Sequence, residues 1–329
     1  MKGKILVVAL ALISALPMQA QDKFVSIKYG DMDQWVTRRI HESAIIGGKT
    51  KQLYEVGPTQ EVDGNTAYVN MGGSPWGTSN VMAKVVGIVK TNTSVYPERR
   101  GSGYCARLET HIESVKVLGM VNITVLASGS MFLGDIKEPI TSTKSGEEAL
   151  NSGIRFTGRP KAVRFDYKVK MSGELNRIRQ TGFSKKEVVQ GKDRAIAVCF
   201  LQKRTEDANG NIIAKRVGTM AVSFDQTQDW QNGATFEIMY GDITHNSKYD
   251  ASLMGLGVGN YHARNSHGES KLIQEVGWAA ADEQPTHMIL QFTSSFGGAF
   301  IGSPGNTIWL DNVGLVYCCL LYTSPSPRD

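Results

Sequence analysis

Val163-Arg-Phe-Asp-Tyr-Lys-Val-Lys170 decides the fold class. Val163, Phe165, Tyr167 and Val169 alternate with Arg164, Asp166, Lys168 and Lys170. That is period two, the pattern of a strand with one face buried and one wet. Working outward, 195–201 reads Ala-Ile-Ala-Val-Cys-Phe-Leu, apolar at every position. A central strand covered on both faces reads that way. Residues 115–127 are long and β-branched, which suits two strands bent at Gly119 or one long strand. Segments 220–224, 235–240, His287–Thr293 and Thr307–Tyr317 complete the set. Asn209-Gly210-Asn211 separates two strand patterns and signals a hairpin turn. Helical patterning is nearly absent. Only 145–150 and 272–278 could each form about a turn of helix.

The chain has 329 residues, of which 41% are hydrophobic and 20% charged, enough to build a packed core. Its 35 glycines show no collagen period and fit many turns between short strands. The four cysteines do not make a disulfide scaffold, and their spacing suits no zinc site. The only run that could concern a membrane is at the N-terminus, which excludes an internal spanning helix. Lys2 and Lys4 precede an apolar stretch, and Pro17-Met-Gln-Ala20 follows it. Residues 1–20 therefore read as a secretory signal peptide cleaved before Gln21, with no lipid-anchoring cysteine behind it. The exported product is expected to be periplasmic or extracellular. At the other end, 318–329 has no strand or helix pattern. Cys319-Leu-Leu-Tyr-Thr-Ser324 matches a translated sequencing adaptor, so 319–329 reads as a scar. The formal charge is +5, and removing Lys2 and Lys4 leaves +3, because Arg328 and Asp329 cancel. That charge is too small and too scattered for nucleic acid. Many short strands and glycine-rich turns point to an all-β sandwich or jelly roll of two antiparallel sheets with long loops, as one domain over 21–317.

Several phrases carry a resemblance. They are Gly73-Ser-Pro-Trp-Gly-Thr-Ser-Asn80, Val95-Tyr-Pro97, Gly103-Tyr-Cys-Ala-Arg-Leu-Glu-Thr110, Phe156-Thr-Gly-Arg-Pro-Lys161, Phe165-Asp-Tyr-Lys168 and Trp309-Leu-Asp-Asn-Val-Gly-Leu-Val-Tyr317. In this order the chain resembles the putative carbohydrate metabolism domain, a family of secreted proteins from gut Bacteroides and their relatives. The resemblance implies a β-jelly-roll similar to carbohydrate-binding modules, with Trp309–Tyr317 as the closing strand. It implies an oligo- or polysaccharide partner, and some relatives have been labelled glycoside hydrolases.

Sugar recognition needs a flat aromatic face with polar groups beside it to fix ring hydroxyls. Trp76 lies in Gly72-Gly-Ser-Pro-Trp-Gly77, a loop phrase that suits an exposed platform; capping one end of the core is the alternative. Trp278 follows the second possible helical turn and is a similar candidate. Trp35 and Trp230 read as core, and Trp309 as structural. Tyr261, His262 and Arg264 share the glycine-rich loop Gly257-Val-Gly-Asn-Tyr-His-Ala-Arg264 with Asn260, a plausible sugar-contacting loop. Arg99 and Arg100 could grip an acidic sugar bidentately or mark a solvated turn. Hydrolysis needs two facing carboxylates. Among the acids, Asp166, Asp225, Asp229, Glu237, Asp242, Asp282, Glu283 and Asp311 stand in no motif that assigns a role, and Asp166 points to an exposed strand face. No serine elbow, P-loop, dinucleotide fingerprint or His-Glu-x-x-His occurs. No cofactor is expected, although a jelly roll can hold a structural calcium. Cys105 and Cys199 either bridge or stand as separate buried thiols. These readings converge on a secreted glycan-binding jelly roll without turnover. A glycoside hydrolase of the same fold and a structural or adhesive surface protein are the alternatives.

Overall fold

The computed structural model describes residues 22–85, 87–117, 121–141, 146–182, 185–298 and 300–318. The signal-peptide reading, the scar reading of 319–329 and Ser145 lie outside these residues. Strand makes up 56% and helix 4%, so the all-β expectation holds.

Two large sheets pack face to face. In the six-stranded sheet the order is Gln228–Glu237, Ala162–Lys170, Thr307–Tyr317, Gly103–Glu109, Val95–Arg100. Lys23–Ser26 pairs with the second half of Thr307–Tyr317. In the ten-stranded sheet Leu150–Ser152, Ser130–Ile136, His287–Thr293, Ala195–Glu206, Ile212–Phe224, Ser270–Trp278 and His262–Arg264 lie side by side. The period-two strand does what its pattern dictates: Val163, Phe165, Tyr167 and Val169 are buried in the space between the sheets. There Phe165 stacks on Phe236 at 4.9 Å and meets Phe292 edge-on at 5.0 Å, geometries that aromatic pairs prefer.

The all-apolar strand is covered on both sides. Ala195, Ala197, Cys199 and Leu201 enter the main core, while Val198 and Phe200 join a second cluster with Ile212, Ala214, Ala263, Ile273 and Ile289 on the opposite face. The hairpin reading also holds. Ala195–Glu206 pairs with Ile212–Phe224, and the Asp207 carboxylate accepts from the backbone N–H of Asn209 and Asn211. Gly210 takes φ 74° there, a conformation that a Cβ would strain.

Other expectations need correction. The helical reading of 272–278 is wrong, because Ser270–Trp278 is a strand. Its Leu272 and Val276, spaced as a helix would space them, both face solvent. That strand runs parallel to Ile212–Phe224, so the large sheets are not purely antiparallel. Residues 146–149 form a turn, and Leu150 opens a short strand. The 115–127 segment resolves into a hairpin, His111–Val117 with Val121–Ala127. Smaller sheets surround the sandwich. In one of them Trp35–His41 sits between Thr50–Val56 and a parallel Gln60–Asp63. It is tied in by buried Arg38, which donates to Glu55 at 3.1 Å and to Glu138 at 2.5 Å. Cys105 and Cys199 are separate buried thiols. Cys199 points into the core between the sheets, whereas Cys105, which alternates with the core residues Ala106 and Leu108 on its strand, does not.

Candidate functional site

Period two governs Thr307–Tyr317 as well. Ile308, Leu310, Val313 and Leu315 point into the core. Trp309 and Asp311 therefore stand on the outer face of the six-stranded sheet. Cross-strand register builds a row there, since directly paired residues share a face. Tyr96 pairs with Arg107, Arg107 with Trp309, and Trp309 with Lys168. On the last strand Gln231 pairs with Tyr167 and Gln228 with Val169, which leaves Asp229 and Trp230 bulged opposite Lys168.

Trp309 Nε1 donates to Glu98 Oε1 at 2.9 Å. Glu98 lies two strands away, so the indole reaches across the intervening Gly103–Glu109 strand. Cys105, paired with Glu98 beneath that span, is fully buried although it faces outward. Burial holds its thiol near pKa 12. Lys168 Nζ sits 5.5 Å from the indole centre and 3.5 Å from Asp229. Arg107 stacks on Tyr96 at 4.4 Å and pairs with Glu98 at 3.1 Å and Glu109 at 2.6 Å.

Arg100 leans over the same face from the end of its hairpin. Its guanidinium lies 3.9 Å from the Trp230 ring and donates to Asn232 Oδ1 at 2.6 Å. One of its nitrogens binds Asp166 at 2.8 Å and also Asp311. Asp166 further accepts from Gly233 N at 2.6 Å and Asn312 Nδ2 at 2.9 Å. Asn312 takes φ 51° at a break in the register between Ala162–Lys170 and Thr307–Tyr317. That αL conformation, which asparagine tolerates, aims its amide back at Asp166. Burial pushes both acids up. For Asp166 the hydrogen bonds from Asn312, Gly233 and Arg100 outweigh burial and hold the carboxyl below its ordinary value. For Asp311 burial wins over Arg100, and the group sits above its ordinary value. The outward orientation of Asp166 was legible in its strand, but exposure was not. It is 8% exposed because Arg100, Asn232 and Asn312 close over it.

The six residues singled out by sequence do not assemble into one site. Trp76 is 0% exposed, in the main core, with Nε1 donating to Lys28 O at 2.9 Å. The exposed-platform reading of Trp76 is overturned: its loop becomes the strand Trp76–Thr78, paired with Ser130–Ile136. Trp278 ends a strand and is half-buried beside Tyr249 at 6.5 Å. The Tyr261 hydroxyl donates to Gln291 at 2.7 Å, and its ring meets Phe200 edge-on. His262 Nδ1 contacts Asn260 O at 3.0 Å, and Arg264 pairs with Asp135 at 2.5 Å. All of these belong to the ten-stranded side. Arg99 alone is on the six-stranded sheet, exposed and stacked on Tyr104 at 4.3 Å. Tyr261 lines a groove of about 620 Å³ on the outer side of the ten-stranded sheet, walled by Val81, Ile88, Val125, Ile196, Val198 and Ile289 among others. Its walls are mostly aliphatic, with Lys90, Asn92, Glu113, Asn260 and Gln291 among the polar groups that also line it.

Trp230, read as core from sequence, is half-buried on the outer face, and Trp309, read as a structural residue of the last strand, stands in that strand on the same face. Counting alternation from Ile308 and Leu310 would have put Trp309 outward. Nothing local marks Trp230, since its position depends on a bulge. Among the described residues no group of three or more His, Cys, Asp or Glu could hold a metal ion, and no helix is long and apolar enough to cross a membrane.

Comparison with known proteins gives one family. No curated protein matches. Four solved chains do; one of them is a crystal structure titled a putative glycoside hydrolase from Bacteroides thetaiotaomicron. It is 15% identical, with 83% of this chain and 82% of that chain covered and a TM-score of 0.45. The family model described as "Putative carbohydrate metabolism domain" matches residues 50–316. Matched over that span, this all-β chain belongs to the putative carbohydrate metabolism domain family.

Proposed function

We propose that this chain is an exported protein that holds a polysaccharide on the outer face of its six-stranded sheet and does not cleave it. The observation that carries the reading is Trp309. Its indole is laid across the sheet among Arg107, Glu98 and Lys168. A flat ring with charged donors and acceptors at its margin is what stacking on a pyranose requires. The paired acids support binding over hydrolysis. A glycosidase needs one carboxyl free to deliver a proton and another free to attack or to activate water. Here both acids are committed to Arg100 and are 8% and 7% exposed. Export rests on the lysine-flanked apolar run in 1–20.

One observation favours hydrolysis. The opposite pKa directions of Asp166 and Asp311 are those of an acid and base set apart by environment. Affinity electrophoresis on a polysaccharide panel, run beside a reducing-sugar assay, separates the two readings. Binding is expected without reducing-sugar release, and with loss of retardation in Trp309→Ala. Release of sugar that Asp311→Asn abolishes would establish the hydrolase instead.

A further inference from the structure

Resting on that reading, we propose that the site takes an uncharged, extended, β-linked polysaccharide chain that runs across the strands, with Trp309 at its centre. Two features of the face carry this, one of spacing and one of charge.

The register places ring-and-cation units at even intervals. Tyr96 with Arg107 stacked on it, Trp309 with the Lys168 ammonium over it at 5.5 Å, and Trp230 with Arg100 stacked on it follow one another across five strands. Tyr96 is two strands from Trp309, and Trp309 is two strands from Trp230. Two strand spacings are roughly 10 Å. That length is the disaccharide repeat of an extended β-1,4-linked chain. Successive units would then meet every second sugar, always from the same side. An α-1,4-linked glucan such as amylose coils, so it cannot lie along a straight row in that way.

The charges decide the sign of the ligand. Arg107 is paired with Glu98 and Glu109, Arg100 with Asp166 and Asp311, and Lys168 with Asp229. Each cation of the row already has a carboxylate, so a uronic acid or sulfated sugar lying along it finds no unpaired cation within the row. A neutral sugar finds both donors and acceptors, which suits hydroxyl groups that both give and accept hydrogen bonds.

The test is titration calorimetry of the full chain with neutral β-linked glucan, xylan and mannan, and with amylose and polygalacturonate. The best polymer's oligosaccharides then follow, from disaccharide to hexasaccharide. A neutral β-linked polymer is expected to bind best, with affinity rising about tenfold or more over the oligosaccharide series. Tyr96→Ala and Trp230→Ala should weaken the hexasaccharide several-fold and leave the disaccharide unchanged. Trp309→Ala should weaken both, and Trp309→Phe should restore part of the loss. Circular dichroism of each variant establishes that it is folded. Preference for polygalacturonate or amylose, or affinity independent of chain length, with Trp309 still required, overturns this proposal alone. No retention of any glycan, or retention indifferent to Trp309, removes the binding reading itself and this proposal with it.

Discussion

Trp76 and Trp309 are both tryptophans in strands, and their environments assign them opposite roles. Trp76 is fully enclosed, so Trp76→Ala removes a large core side chain and leaves a cavity. It is expected to cost about 3–5 kcal/mol in a urea melt. Trp309 is half-buried and spans the sheet surface, so Trp309→Ala should cost far less stability. It should instead remove about 1–3 kcal/mol of glycan binding, as an aromatic anchor does. Equal destabilisation by the two substitutions would contradict the assignment. Glu55 makes a second residue-level prediction. It is completely buried, accepting from Arg38 and Thr78, with Glu138 on the same guanidinium. Burial, with repulsion from Glu138 and against the pull of Arg38, pushes it up to about 8 from 4.5. One proton on this site leaves Arg38 balanced by a single carboxylate. A carboxyl with a raised folded pKa favours folding most below its unfolded value and loses that contribution as pH rises through the folded one. Wild-type stability should therefore decline between pH 4.5 and 8 relative to Glu55→Gln. The difference should reach roughly a few kcal/mol, at about 1.4 kcal/mol per unit. Parallel stability curves for the two proteins over that range would refute the shift.

At the scale of the element, Ala195–Glu206 shows how far a pattern can be trusted. Its unbroken apolar run means burial on both faces, and the two faces serve different clusters. Phe200→Ala and Leu201→Ala should each destabilise by about 2–5 kcal/mol, although the side chains point in opposite directions. In Ala162–Lys170, by contrast, Val169→Ala should be costly and Lys170→Ala should stay within about 0.5 kcal/mol. Denaturant melts of the four variants check both strands. The same reasoning fails for 272–278. There Leu272 and Val276 are exposed while Ile273 is buried, so hydrophobicity did not follow burial. What makes that segment a strand is its parallel pairing to Ile212–Phe224, a partner 60 or so residues earlier in the chain.

At the scale of the whole molecule, the two thiols report on different places, Cys199 on the core between the large sheets and Cys105 on the outer face of the six-stranded sheet. Cys199 is fully buried in the main core with its thiol pushed to about 12, so it should react with a maleimide only through global unfolding. Cys105 lies outside that core, beneath the reach of the Trp309 indole. Trp309→Ala should speed labelling of Cys105 and not of Cys199, as read by site-resolved mass spectrometry. Equal rates would mean that the indole does not shield it.

The sequence by itself determined the all-β class, the hairpin at 209–211, the two-faced central strand and the outward side of the period-two strands. Each of these follows from spacing along a few residues, because strand pleating makes burial periodic. The four phrases at 95–97, 103–110, 165–168 and 309–317 were legible one by one, and so was the family. Their meeting on one sheet face was not. Arg100 lies 66 residues from Asp166 and 211 from Asp311, yet it binds both. Strand order, the register that lines up Tyr96, Trp309 and Lys168, and the bulges that turn Asn312 and Trp230 are properties of long-range pairing. Local periodicity carries no information about which strands become neighbours, so only the tertiary structure could place Trp76 in the core and set Trp309 among Glu98, Arg107 and Lys168 on the outer face.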